Sequence, residues 1–314
     1  MVTAVGGGKV SVPGVREWTV VGVPSSAGAH HAGQEQAPAA LRKAGLVDGL
    51  RAAGLSVDDA GDLQHTPFAV DRDHPTRRNL PAVARVARAV ADAVAGVIES
   101  GRAPLVIGGD CTITLGAVAG FRRHHPGVGL VYVDGDADLS TPDHPEAPGS
   151  GIFDSMGVAH LLGGGAQELS GLAGPEPLLA AQRLALVGCD PREIDDAGRR
   201  FLAARGVSFQ EAPVLAGDPV AAAQRALAAI EAAASPVLVH FDVDTVDSGD
   251  LPLGNFPHYG SGVGFDQVVE CLRTLRQHAA FGGLVLTEVN PTHDADGTLL
   301  GRYTAGVVDA LTRP

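Results

Sequence analysis

Three aspartates at every second position, Asp134, Asp136 and Asp138, follow directly on the apolar β-type run Val131-Tyr132-Val133. Alternation along extended chain sends all three to one side, and carboxylates crowded there repel one another unless a cation holds them. A second apolar run, Val237 to Phe241, leads into Asp242-Val243-Asp244, with Asp247 close behind. Two strands that end in clustered aspartates predict a two-cation site with oxygen ligands.

The elements that would position these groups alternate along the chain. Apolar runs predict strands over Trp18 to Val23, Ser56 to Asp59, Pro104 to Ile107, Leu130 to Val133, Leu184 to Gly188, Pro236 to Phe241 and Leu284 to Val289. Helical patterns lie between them. Pro38 to Ala53 reads as a helix with Pro early, where its missing N–H costs little, and Asn79 to Ser100 places Val83, Val86, Val90, Val94 and Val97 at helical spacing, a core face. Pro219 to Ala234 is an alanine-rich helix. Strand and helix in alternation imply βαβ units and a parallel sheet in an α/β domain. Ligands bind beyond the carboxyl ends of such strands. Asp110-Cys111, Asp134 to Asp138, Asp242 to Asp244 and Glu288 therefore share one rim.

With 314 residues, 45% of them hydrophobic, the chain can bury a full core, and residues 1–314 read as a single domain with a flexible amino terminus over 1–16. A formal net charge of −13 argues against a nucleic-acid surface and for small-molecule substrates. Cys111, Cys189 and Cys271 are odd in number and form no CxxC pair, which points to a reducing cytoplasm. Met1 to Gly14 has no apolar leader core, and no run nears the roughly 20 residues needed to span a bilayer.

Taken together, these clusters resemble the motifs of the ureohydrolase family, which includes arginase, agmatinase and related amidinohydrolases. Gly33-Gln34-Glu35-Gln36-Ala37-Pro38 and Leu41-Arg42-Lys43-Ala44-Gly45-Leu46 resemble its GxExxP and LRKAGL segments. Gly108-Gly109-Asp110-Cys111 resembles GGDH, Asp134-Gly135-Asp136-Ala137-Asp138 resembles DAHxD, Asp242-Val243-Asp244 resembles DxD, and Thr287-Glu288-Val289-Asn290-Pro291 resembles EVNP. Any one is weak alone; their shared order is specific.

The resemblance implies a three-layer α/β/α sandwich around a mostly parallel sheet, two divalent cations, and hydrolysis of a guanidino or amidine carbon–nitrogen bond by a hydroxide held between them. Manganese is the expected ion, with magnesium, zinc or iron as alternatives. By resemblance, Cys111, Asp134, Asp138 and Asp242 would hold one ion and Asp134, Asp136, Asp242 and Asp244 the other, with Asp134 and Asp242 bridging. Asp138 would accept or orient the proton of the attacking water. Glu288 would pair with the cationic amidine, and Asp190 and Glu193 would read the far end of the substrate. The family also implies a homo-oligomer, a trimer or hexamer.

Three histidines of the family pattern are replaced here. Cys111 and Asp136 stand where the two metal-binding imidazoles belong, and Asp154, in Ile152-Phe153-Asp154-Ser155-Met156, stands where NLHGM carries a proton-shuttling histidine. The usual site sets four carboxylates against two cations; five carboxylates and a thiolate leave an excess of about two negative charges, which predicts an alkaline activity optimum. His160, among Met156, Val158, Leu161 and Leu162, is either a packed helix-face residue or a replacement shuttle. His240 would sit in the sheet as a hydrogen-bonded core group or behind the ligands. His30, His31, His144, His258 and His293 fall in loops and read as solvated. Asp154 or His160 would protonate the leaving amine, though Asp154 can also be a turn residue after Ser150-Gly151, and Tyr259, in the loop Asn255 to Gly262, can shape the pocket mouth or be ordinary packing.

Two other readings stand beside the hydrolase: a catalytically silent relative acting as a binding or regulatory subunit, and a metallohydrolase of a formimino or N-acyl bond. The donor atoms kept at Cys111 and Asp136 weigh against the first, and Glu288, which prefers a cationic substrate, against the second.

Overall fold

The computed structural model describes residues 17–142 and 150–313. The expected flexible amino terminus and His144 lie outside them. Eight parallel strands form one sheet: β1 (Glu17–Gly22), β2 (Ser56–Asp62), β3 (Ala103–Ile107), β4 (Gly129–Val133), β5 (Leu184–Cys189), β6 (Ser208–Glu211), β7 (Val237–Asp242) and β8 (Phe281–Thr287). Their order across the sheet is β2-β1-β3-β8-β7-β4-β5-β6. Every inner strand is covered on both faces, which is why these segments read as unbroken apolar runs rather than alternating ones.

Helices close the two faces. Ala37–Lys43, Leu46–Ala52, Ala212–Gly217, Pro219–Ile230, Phe265–Gln277 and Thr298–Thr312 pack on the side of Val131, Val133, Val239 and Phe241. Leu80–Glu99, Ile113–His124, Gly157–Leu161, Gln167–Ser170 and Asp196–Arg205 pack on the side of Leu130, Tyr132 and Leu238. The result is the three-layer α/β/α arrangement.

Two features of the sheet build the rim. The first is register: Ile107 pairs with Leu286, Leu286 with Phe241, and Phe241 with Val133, so the four central strands end level with one another. The second is topology. After β4 the chain moves outward to β5 and β6, whereas after β7 it moves the opposite way to β8. The loops after β4 and β7 therefore part over a crevice, the place where open α/β sheets bind ligands.

Several expected boundaries shift. Pro38 to Ala53 is two helices, because Gly45 adopts a left-handed φ of 93° that breaks the run after Lys43. The strand β6 carries no strand signal in sequence, since its edge position asks for little apolar sequence and Ser208-Phe209-Gln210-Glu211 supplies only one large hydrophobe. The last strand starts at Phe281 and stops at Thr287; Glu288 turns out of it with a φ of 60°. The strand before the aspartates stops at Val133, so alternation does not place Asp134, Asp136 and Asp138. A loop does, with Asp138 at a φ of 48°.

Helix Ile113–His124 leaves directly from the Cys111 loop and is seated by glycines. A Cβ on Gly116 would lie 2.4 Å from the Ala87 carbonyl oxygen, and one on Gly120 2.7 Å from that of Ala91. Gly116→Val should therefore force this helix off Leu80–Glu99 and destabilise the fold by about 1–3 kcal/mol, read as a lower Tm in a thermal melt. An unchanged Tm would contradict the close approach.

Candidate metal centre

Backbone donors fix the carboxylates at the rim. The amide of Cys111 donates to Glu288 Oε1 at 2.9 Å, and Gln34 Nε2 donates to Glu288 Oε2 at 2.7 Å. The amide of Asp136 donates to Asp134 Oδ1 at 2.6 Å, that of Asp244 to Asp242 Oδ1 at 2.9 Å, and that of Gly135 to Asp244 Oδ1 at 3.2 Å. Tyr132 donates its hydroxyl to Asp138 Oδ2 at 2.6 Å. The Cys111 thiol donates to Asp242 Oδ2, with Sγ and Oδ2 2.6 Å apart. Asp138 and Glu288 are two of only three non-glycine residues with positive φ among the described residues. Backbone strain of this kind collects where a site demands it.

The donors converge as three neighbouring groups, two at the aspartates and a third, Asp190, Glu193 and His258, that shares an imidazole with the second of them. Ligand atoms of Cys111, Asp134, His240 and Asp242 all lie within 4.8 Å of one another, and so do those of Asp136, Asp244 and His258. A cavity of about 500 Å³ opens above them, lined by Cys111, Asp134, Asp136, Asp138, Asp242, Asp244 and Glu288. His30, Asp154, Arg192 and Glu193 stand further around its wall.

The electrostatics are those of an anionic cluster short of positive charge. Burial, and then the neighbouring carboxylates, push Asp134, Asp244 and Glu288 well above the usual carboxylate range. Burial does the same to Asp138 against the opposing hydrogen bond from Tyr132. Burial, then Asp242 and Glu288, drive the Cys111 thiol up. Arg192 is the only arginine or lysine on the cavity wall among the described residues, and Asp190 already takes its guanidinium at 2.8 Å. Mixed carboxylate, imidazole and thiol donors of this kind suit a divalent cation.

The residues singled out from sequence divide accordingly. Cys111, Asp134, Asp136, Asp242 and Asp244 come together as expected donors, while Asp138 lines the cavity outside all three donor groups. Asp154 is buried at the wall and carries a partner the sequence did not suggest: His30 Nδ1 lies 2.9 Å from its Oδ1. Glu193 lines the cavity, but Asp190 is not free to read a substrate. Its carboxylate accepts from Arg192, Ser261 and the His258 ring, and these bonds, outweighing burial, hold it well below the usual range.

His160 is not a shuttle. Its Nδ1 bonds the Met156 carbonyl at 2.8 Å and its Nε2 accepts from the Ala166 amide at 3.0 Å, so both nitrogens are spent inside the core, and burial lowers its pKa. His240 is fully buried, stacked on Tyr132 with ring centroids 3.8 Å apart. His258, read from sequence as a solvated loop residue, is 2% exposed. Burial would depress it, but Asp136 and Asp190 prevail and hold it at about 9. Nothing in residue spacing marks His30 or His258, because each reaches the rim from a loop remote in sequence from the residue it meets.

The family model described as the Arginase family matches residues 16–311. An arginase of Bacillus caldovelox is 27% identical over 281 residues, 88% of this chain and 91% of its own length. Arginase-1 of Homo sapiens is 29% identical over 282 residues, 87% of this chain and 84% of its own. The crystal structure of arginase from Bacillus cereus superposes with a TM-score of 0.82 at 26% identity, covering 95% of this chain and 99% of that one.

Raised carboxylates carry a stability signature. A carboxyl whose folded pKa lies above its ordinary value of 3.8 favours the fold while protonated, and that contribution is lost as pH climbs through the folded pKa. Chelator-treated protein should therefore lose stability on going from about pH 5 to about pH 8, and the Tm gained on adding manganese should be larger at the higher pH. A gain that is equal at both, or larger in acid, would contradict this account of the cluster.

Proposed function

Because the chain belongs to the arginase family, we propose that it hydrolyses a carbon–nitrogen bond of a small linear guanidino or amidine compound, releasing urea or a related product. One observation carries the reading: Cys111, Asp134, Asp136, Asp138, Asp242 and Asp244 line the same cavity as Glu288. Cys111, Asp134, Asp138 and Asp242 would hold one divalent cation and Asp134, Asp136, Asp242 and Asp244 the other, manganese being preferred for a mainly carboxylate set. Bound there, the cations would supply Lewis acidity, neutralising the carboxylates and bringing the ionisation of water toward neutral pH.

The chain's own groups divide the remaining work. Glu288, braced by Gln34 and the Cys111 amide, receives the cationic end of the substrate; each of its oxygens keeps a lone pair for a planar N–H donor. Asp138, oriented by Tyr132, takes or directs the proton of the attacking water. At the wall, His30 and Asp154 form a pair able to deliver a proton to the leaving nitrogen, the part His160 cannot play. Glu193 faces the outer cavity, where the substrate tail would lie.

Among the described residues no helix is long and apolar enough to cross a membrane. A cytoplasmic homo-oligomer, trimeric or hexameric, is the setting we propose, with no nucleic-acid partner.

The test is a screen of manganese-loaded protein for urea, ammonia or amine release over guanidino and formimino compounds. Manganese-dependent turnover of at least one guanidino compound is expected. Metal uptake with no turnover of any would leave a silent binding protein instead. Within the site, Asp242→Ala should abolish turnover and empty both positions, whereas Asp244→Ala should mainly weaken one, as elemental analysis would report. Equal and negligible effects on metal content would refute the assignment of these two ligands.

A further inference from the structure

We propose that His240 and His258 supply the imidazole nitrogens of this metal centre, standing in space where Cys111 and Asp136 stand in sequence. The inference rests on the function proposed above and goes beyond its ligand set.

His240 reaches the rim by strand alternation. It lies two residues before Asp242 on β7 and so shares that residue's side of the sheet, and it pairs in register with Tyr132 of β4. Its Nε2 is 3.5 Å from Asp134 Oδ2 and 3.8 Å from Cys111 Sγ. Its Nδ1 is 2.7 Å from Thr114 Oγ1. A ring that donates Nδ1–H to a hydroxyl presents the lone pair of Nε2 on the other side, the arrangement in which a ligating histidine is fixed by the partner of its second nitrogen.

His258 is oriented through its Nδ1 in the same way, by a stronger partner. Nδ1 is 3.2 Å from Asp190 Oδ2, and Asp190 is itself held by Arg192 and Ser261. This makes the carboxylate–histidine pair that commonly orients a metal ligand. Nε2 points the other way, to 3.7 Å from Asp136 Oδ2, and is a buried nitrogen without a hydrogen-bond partner. Such an atom costs stability unless something fills its place. The main chain is also fitted to the ring: Gly135 occupies the position of the alanine in DAHxD, and a Cβ there would lie 2.7 Å from His258 Nε2 and 2.9 Å from the Asp244 carbonyl oxygen. The exchange of alanine for glycine removes the methyl group that would meet the imidazole.

The inference accounts for both replacements with one kind of change. Each lost histidine is matched by an imidazole within 4 Å of the residue that replaced it. Asp190 then acquires a role the sequence did not give it, as the positioning residue of His258.

Pulsed EPR of the unsubstituted protein, loaded with less than one equivalent of manganese, tests the proposal without altering a donor. The expected result is nitrogen modulation that changes when histidine is labelled with ¹⁵N. In parallel, His240→Ala and His258→Ala should each weaken manganese uptake by at least about 10-fold, and Asp136→His placed in the His258→Ala background should restore it. Manganese bound with no histidine-nitrogen modulation, and with uptake unchanged in both variants, would overturn this inference and leave the proposed function standing. Failure of the unsubstituted protein to take up manganese at all would overturn both.

Discussion

Carboxylates crowded out of water at the ends of four level strands, with the one arginine of the wall, among the described residues, already taken by Asp190, are the constraint on which the site depends. Asp134, Asp242, Asp244 and Glu288 are nearly inaccessible, and each would repel the next at neutral pH. The protein meets part of this cost with backbone amides from Cys111, Gly135, Asp136 and Asp244, and with the hydroxyl of Tyr132. These donors set the carboxylate oxygens in place but bring no net charge. The remaining imbalance is one that bound divalent cations would relieve, and it would tie the stability of the rim to its chemistry. The sheet makes this crowding possible: level strand ends bring four loops together, and the reversal of direction between β4 and β7 opens the crevice into which they project.

Much of this was legible in the chain. A parallel sheet buried on both faces writes its inner strands as apolar runs, so β1, β3, β4, β5, β7 and β8 stand out, and the motifs that end them appear in family order. Elements ruled by context were harder to read. The edge strand β6 needs few hydrophobes, and the break at Gly45 depends on one backbone conformation inside a run of good helix formers. The aspartates after Val133 reach the cluster through a loop, a route that strand periodicity does not describe.

The site histidines show the same limit more sharply. A motif records a position along the chain, whereas a ligand or a proton carrier is an atom at a point in space. The three imidazoles missing from the family pattern have counterparts beside each substituted residue: His240 by Cys111, His258 by Asp136 and His30 by Asp154. His240 lies two residues from Asp242, whereas His30 and His258 meet their partners from loops remote from them in sequence. Motif spacing alone makes Cys111 a thiolate; in the fold the thiol donates to Asp242, and burial, then Asp242 and Glu288, raise its pKa. His160, the one histidine that lay close to the substituted shuttle in sequence, spends both nitrogens in the core.

Diffraction from crystals of the manganese-loaded protein, collected at a wavelength where manganese scatters anomalously, tests the central claim most directly. The account predicts two anomalous peaks in the crevice between the β4 and β7 loops, one among Cys111, Asp134, His240 and Asp242 and the other among Asp136, Asp244 and His258. Peaks absent from that crevice, or present there with both imidazoles turned away, would contradict it.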